Sequence, residues 1–206
     1  MSANHPANES IWLVADNFRN SAEMSGYNIP PIDVLFIVDV VLKFDVIDIP
    51  GLFANLRMDA AIVPAERVVY VDRDSLESWD RKDHWIEKRL RFSLAHELGH
   101  FVLHNDFLSA ITFSNVTQFK QWIIEHHRDD RVECQADEFA GRLLVPRDIL
   151  LSEYDICCQK FKIADQKWHE IEGMREHIAR KIAPRFGVNH QVIETRFDRE
   201  GIWPLE

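Results

Sequence analysis

His96 and His100 stand four residues apart, with a glutamate between them, in the run His96-Glu97-Leu98-Gly99-His100. On an α-helix such a pair leaves one face a turn apart, close enough for two imidazoles to hold one zinc ion. Glu97 starts from the neighbouring face, where a carboxylate can take a proton from water activated by that ion. The chemistry these residue types can do together is zinc-dependent hydrolysis, above all of a peptide bond. The flanking sequence suits a helix. Trp85, Ile86, Leu90, Phe92, Leu94, Leu98, Phe101, Val102 and Leu103 recur at near-helical spacing, and no Gly or Pro interrupts residues 83–98. Gly99 is small where a helix must pass close to a neighbour.

A catalytic zinc usually takes three protein ligands and leaves a fourth place for water. One pattern puts a third histidine six residues past the second, beyond a glycine; here that residue is Asp106 and the glycine is missing. His104 lies one turn beyond His100, about 12 Å along a straight helix from His96. It reads as a neighbour of the site, and becomes a ligand only if the helix bends or stops. A later helix offers a better third ligand. Across residues 131–144, Val132, Ala136, Phe139, Ala140, Leu143 and Leu144 make an apolar stripe, with Glu133 and Asp137 one turn apart beside it. Glu133 can bind the ion, and Asp137 can accept the second ring N–H of a ligand histidine, fixing its tautomer. Taken alone, Glu133, Asp137 and Glu138 would be an ordinary solvated face; the histidine pair upstream favours the ligand.

The two motifs together, His96 to His104 followed by Glu133-x-x-Ala136-Asp137-x-Phe139-Ala140 and Leu143-Leu144-Val145-Pro146, resemble the ImmA/IrrE family of metallopeptidases. Arg91-Phe92-Ser93-Leu94-Ala95 and the opening Pro31-Ile32-Asp33-Val34 are similar to that family as well. The likeness is close over residues 25–150 and loose elsewhere. It implies an α+β, zincin-like single domain: a small antiparallel or mixed sheet packed on helices, among them the histidine helix and a downstream helix bearing the glutamate. It also implies His96, His100 and Glu133 as zinc ligands and Glu97 as general base, with Asp137 where the family often has Asn or Asp. Family members commonly cleave or inactivate helix-turn-helix repressors, so the expected partner is such a repressor or an antitoxin. One departure is the long linker from His104 to Glu133, with Glu125-His126-His127-Arg128-Asp129-Asp130, which reads as a solvated connection rather than a lid.

Those motifs need a frame. The expected division is an N-terminal helical extension over residues 1–29, a metallopeptidase core over 30–150 and a helical extension over 151–206. Helices are expected over residues 8–25 and from Pro31 to about Lys43, strands at 46–49, 60–63 and 67–71, and a hairpin turn at Pro64-Ala65-Glu66. Residues 72–83 read as irregular, and 148–162 and 165–182 as helices. Residues 182–196 have the outline of a helix-turn-helix, but acids nearly balance its bases. A strand edge beside the histidine helix, at 60–63 or 68–71, would suit an extended peptide.

With 206 residues, 46% of them hydrophobic, the chain can build a real core, and its net charge of −10 disfavours sequence-independent contact with DNA or an anionic membrane. No apolar run has the length of a membrane span or a signal core. Cys134, Cys157 and Cys158 form no paired motif, which fits a reducing cytoplasm. A closed structural zinc site would want more cysteines. Tyr70, His104, Tyr154 and His177 are chemically able to support an oxyanion, and nothing in the sequence ranks them. The competing reading is a regulatory module that sequesters a repressor or antitoxin without cutting it; Glu97 argues against it, since a pure binder has no use for that carboxylate.

Overall fold

A computed structural model describes residues 6–80, 84–125, 130–164 and 167–203. In chain order the helices and strands are α1 (Pro6–Arg19), α2 (Val34–Phe36), β1 (Asp45–Ile49), α3 (Leu52–Leu56), β2 (Ala60–Val63), β3 (Val68–Asp72), α4 (Arg73–Asp80), α5 (His84–Leu108), α6 (Val116–Glu125), α7 (Asp130–Leu144), α8 (Arg147–Ala164), α9 (Met174–Phe186) and α10 (His190–Glu200). The fold is α+β. It divides into one unit of residues 1–32 and 141–206 and another of residues 33–140, the boundary falling within α7.

The second unit holds the sheet, in the order β1-β3-β2. β1 runs parallel to β3, and β2 pairs antiparallel with it through the expected hairpin. Pro64–Glu66 form a 3-10 turn, and Arg67 closes it in the left-handed region at φ 53. Every residue of β2 and β3 is buried, which explains their Val/Ile/Ala/Tyr character up to the capping Asp72. Ile49, Leu52, Ala61, Val63, Tyr70 and Phe119 pack as one cluster.

The helix expected from Pro31 begins only at Val34, because the Asp33 carboxylate accepts the Phe36 N–H at 3.1 Å and caps it there. The chain then widens into a π-helical turn over Ile37–Val41. Residues 73–80, read as irregular, are a helix. Asp72 caps it by accepting from Ser75 N at 3.1 Å, and its other oxygen takes Phe53 N at 2.8 Å. The linker after His104 is no mere solvated connection, for residues 116–125 are helical. Asn115 accepts from Gln118 N at 3.0 Å at the start of α6, and Phe119 packs against Tyr70 with ring centroids 4.7 Å apart. The His126-His127-Arg128-Asp129 stretch lies outside the described residues. Trp85, placed on the apolar face by its spacing, is 58% exposed, with the Arg89 guanidinium over its ring.

A buried polar knot ties α5 to the sheet. Arg89 grips Asp59 with two bonds, Nε to Oδ2 at 2.7 Å and Nη2 to Oδ1 at 2.8 Å, and Ser75 Oγ donates to the same carboxylate at 2.7 Å. Asp59 and Ser75 are both buried, so these bonds are needed to offset the loss of water.

In the other unit, α1 ends at Arg19 rather than running to 25, and a 3-10 turn follows at Ala22–Met24. Residues 167–173 are not helical as expected beyond a 3-10 turn at Trp168–Glu170, because Gly173 takes φ 76 before α9 begins. The helix-turn-helix outline is real in shape: α9, a left-handed Gly187 at φ 64, then α10. Four of its arginines meet acids: Arg175 meets Asp198, Arg180 meets Glu176 and Arg185 meets Glu153, while Arg196 is buried against Glu200. Arg142 joins this unit by gripping Asp16 at 2.6 Å and Glu200 at 3.1 Å. Among the described residues, no helix is long and apolar enough to cross a membrane.

Candidate metal centre

The site is built where α5 and α7 cross in the second unit. Leu90, Leu94 and Leu98 on α5 and Ala136, Phe139 and Ala140 on α7 are buried, which commits one face of each helix to the core. Gly99 permits the close crossing. A Cβ at that position would stand 3.0 Å from both the Cα and the carbonyl oxygen of Ala136. The small residue anticipated at a close approach thus meets the small residue of the second motif, and their contact sets the imidazoles of α5 against the carboxylates of α7.

His96, His100 and Glu133 come together, with one possible ligand atom from each within 4.8 Å of the others. His96 Nε2 lies 3.0 Å from His100 Nε2 and 3.3 Å from Glu133 Oε2, and His100 Nε2 lies 3.5 Å from Glu133 Oε1. Ligands about 2.0–2.1 Å from a tetrahedral ion stand about 3.3–3.4 Å from one another, so this triangle has the size of three corners of a zinc site. The donor set, two imidazoles and a carboxylate, has the matching chemistry. These residues fit a metal ion.

Hydrogen bonds on the far side of each ring orient it. His96 Nδ1 is 2.7 Å from Asp137 Oδ1; a carboxylate only accepts, so Nδ1 carries the proton and Nε2 presents its lone pair inward. Burial opposes a positive charge on His96, but the bonds to Asp137 and Glu133 and the charges of Glu97 and Asp137 outweigh it and push its pKa up to about 10. The surroundings therefore favour a cation at Nε2, whether a proton or a metal. His104, the alternative third ligand, stays outside the triangle. The helix leaves regular geometry there (φ −125, ψ 15), and His104 Nδ1 turns to His100 Nδ1 at 3.2 Å while its Nε2 meets Gln135 Oε1 at 2.9 Å.

Glu97 is buried, and its Oε2 accepts the backbone N–H of Ile62 at 2.9 Å. Ile62 pairs with Val69, so this N–H belongs to the side of β2 that faces away from β3. β2 is therefore the edge strand beside the histidine helix; β3, the other candidate, is central. A cavity of about 180 Å³ opens here, walled by Met58, Ala60, Phe92, Ser93, Glu97 and Arg57, with His96 and Asp137 at its side. It has room for one amino-acid side chain and is small for a drug-sized ligand.

The other residues able to support an oxyanion are not brought to this cavity. Tyr70 is buried in β3 against Phe119, and burial raises its pKa. Tyr154 and His177 belong to the other unit, where Tyr154 packs on Phe197 and Trp203 and His177 on Phe161. Cys134 is exposed beside Glu133 and is not among the clustered groups. Sequence reasoning missed Gln135 and the Ile62 amide. Gln135 follows Glu133 by two residues, a spacing that points across a helix rather than along one face, and a backbone N–H has no signature in a sequence.

A family model described as Peptidase M78, the IrrE N-terminal-like domain, matches residues 83–198. No curated protein matches the chain. The match takes in α5 with its histidine pair, α7 with Glu133, and more than half of the chain; this protein belongs to the Peptidase M78 family of IrrE N-terminal-like domains.

Proposed function

We propose that the protein is a zinc-dependent metalloendopeptidase that cleaves a helix-turn-helix transcriptional repressor or an antitoxin in the cytoplasm. The observation that carries this reading is the ligand-sized triangle of His96, His100 and Glu133 with the Glu97 carboxylate anchored beside it, in a chain of a peptidase family. His96, His100 and Glu133 hold the ion, and Asp137 keeps His96 in the ligating tautomer. A bound zinc ion supplies Lewis acidity, acidifying a water and polarising the scissile carbonyl. Glu97 acts as general base: with Oε2 held by the Ile62 N–H, its other oxygen takes the water's proton and passes it to the leaving amine. β2 is an edge strand beside the site and its Ile62 N–H is already taken by Glu97, so an extended peptide substrate would pair with the outward main-chain groups that remain. A net charge of −10 suits a basic, DNA-binding partner.

The test combines elemental analysis with a cleavage assay on purified helix-turn-helix repressors. About one zinc per chain is expected in the wild type, with loss in Glu133→Ala. Glu97→Gln is expected to keep its zinc and to lose cleavage by a factor of about 10² or more. Metal-free wild type from a chelator-free preparation, or undiminished cleavage by zinc-loaded Glu97→Gln, would overturn the proposal.

A further inference from the structure

The inference rests on His100 being a metal ligand and concerns how its tautomer is set. An imidazole can bind a metal through Nε2 only if its proton sits on Nδ1. For His96 the Asp137 carboxylate ensures this. Among the described residues His100 has no carboxylate at Nδ1; its neighbour there is His104 Nδ1, at 3.2 Å. Two facing nitrogens of neutral imidazoles can share one proton in either direction, so this contact alone leaves the tautomer of His100 open. The next bond decides it. His104 Nε2 lies 2.9 Å from Gln135 Oε1. A carbonyl oxygen only accepts, so His104 Nε2 carries a proton and donates it, His104 Nδ1 keeps a lone pair, and His100 Nδ1–H donates to that lone pair. His100 Nε2 is then unprotonated and faces His96 and Glu133.

The array has one mirror alternative. With the amide of Gln135 turned about, its NH₂ would donate to His104 Nε2. His104 Nδ1–H would then donate to His100 Nδ1, and His100 Nε2 would carry a proton directed at the ligand triangle. That state is incompatible with a metal on His100. The amide orientation and the metal site are therefore coupled across two imidazoles. The backbone departs from helical geometry at the same residue. A regular helix has φ near −63° and ψ near −42°, whereas His104 takes φ −125 and ψ 15, and its ring lies tilted on His100 with centroids 5.4 Å apart.

We propose that Gln135 is a positioning residue for the metal centre, acting through His104 to hold His100 in the tautomer that ligates. Its amide does not titrate, so it sets the direction of the array without adding a charge beside the ion.

The test is zinc affinity, measured by competition with a chromophoric chelator on the full chain, in Gln135→Met, Gln135→Glu and His104→Phe and in the two double variants. Circular dichroism checks that each variant is folded. Gln135→Met removes the acceptor and is expected to weaken zinc binding by about ten-fold or more, the range for outer partners of ligand histidines. Gln135→Glu is acceptor-only and is expected to hold zinc at least as tightly as the wild type. With His104→Phe in place the array is cut, and the two uncharged residues at 135, Gln and Met, are expected to give the same affinity within about two-fold. Wild-type affinity in Gln135→Met, or an undiminished effect of Gln135→Met beside His104→Phe, would overturn the inference while leaving the metal site standing. A wild type that takes up no zinc would overturn the proposed function, and the inference with it.

Discussion

At the scale of single residues, the site is a cluster of negative charge around one histidine. The pKa of His96 stands near 10 in the folded protein, against about 6.5 in an unfolded chain. A group whose folded pKa is raised contributes stability that is complete below its unfolded value and is lost as pH rises through the folded one. The metal-free protein is therefore expected to lose stability between about pH 6.5 and pH 10, a window set by those two values. Urea midpoints of the chelator-stripped protein, measured across that window, check this. His96→Gln should flatten the profile. A profile of wild-type steepness in that variant would assign the loss to other groups. Zinc uptake must displace the same proton, so the loaded protein is expected to lack this component of the pH dependence.

At the scale of elements, the site depends on how closely α5 and α7 cross. Replacing Gly by Ala within a helix ordinarily stabilises by about 1 kcal/mol. Gly99→Ala is expected to do the reverse, because the new methyl meets the backbone of Ala136, which cannot turn aside like a side chain. Overpacking of this kind costs about 1–3 kcal/mol. The net expectation is a loss of up to about 2 kcal/mol in urea unfolding, with weaker zinc binding as Glu133 is pushed away from the imidazoles. A stabilised Gly99→Ala variant would show that the helices can part freely. This crossing was legible from sequence in outline: the histidine pair, the small residue between them and the Glu133 and Asp137 pair are spacings along helices, and spacing is what a sequence displays. The strands were legible for the same reason, through runs such as Val68-Val69-Tyr70-Val71. The helix over Arg73–Asp80 was hidden by its polar composition, although Asp72 with Ser75 three residues on was a capping signal in plain view. Asn115 and Gln118 stand in the same relation at the start of α6. What could not be read were contacts made by backbone groups or across turns that lie far apart in the chain: the Ile62 amide on Glu97, the Arg89 grip on Asp59, and Gln135 on His104.

At the scale of the whole molecule, the net charge of −10 gives a long-range field that no single residue controls. For the basic repressor proposed as substrate, association is expected to slow as ionic strength rises, since screening shortens the reach of that field to about 8 Å at 0.15 M salt. Stopped-flow association rates across a salt series measure this, and a flat series would indicate recognition by shape and apolar contact alone. The placement of the ligands on two helices has a further consequence. An ion shared by His100 on α5 and Glu133 on α7 closes residues 100–133 into a ring, and closing a ring removes conformational freedom from the unfolded chain. Zinc at this crossing would be a clasp as well as a reagent, and the loaded and stripped forms would then differ in lifetime as well as in activity.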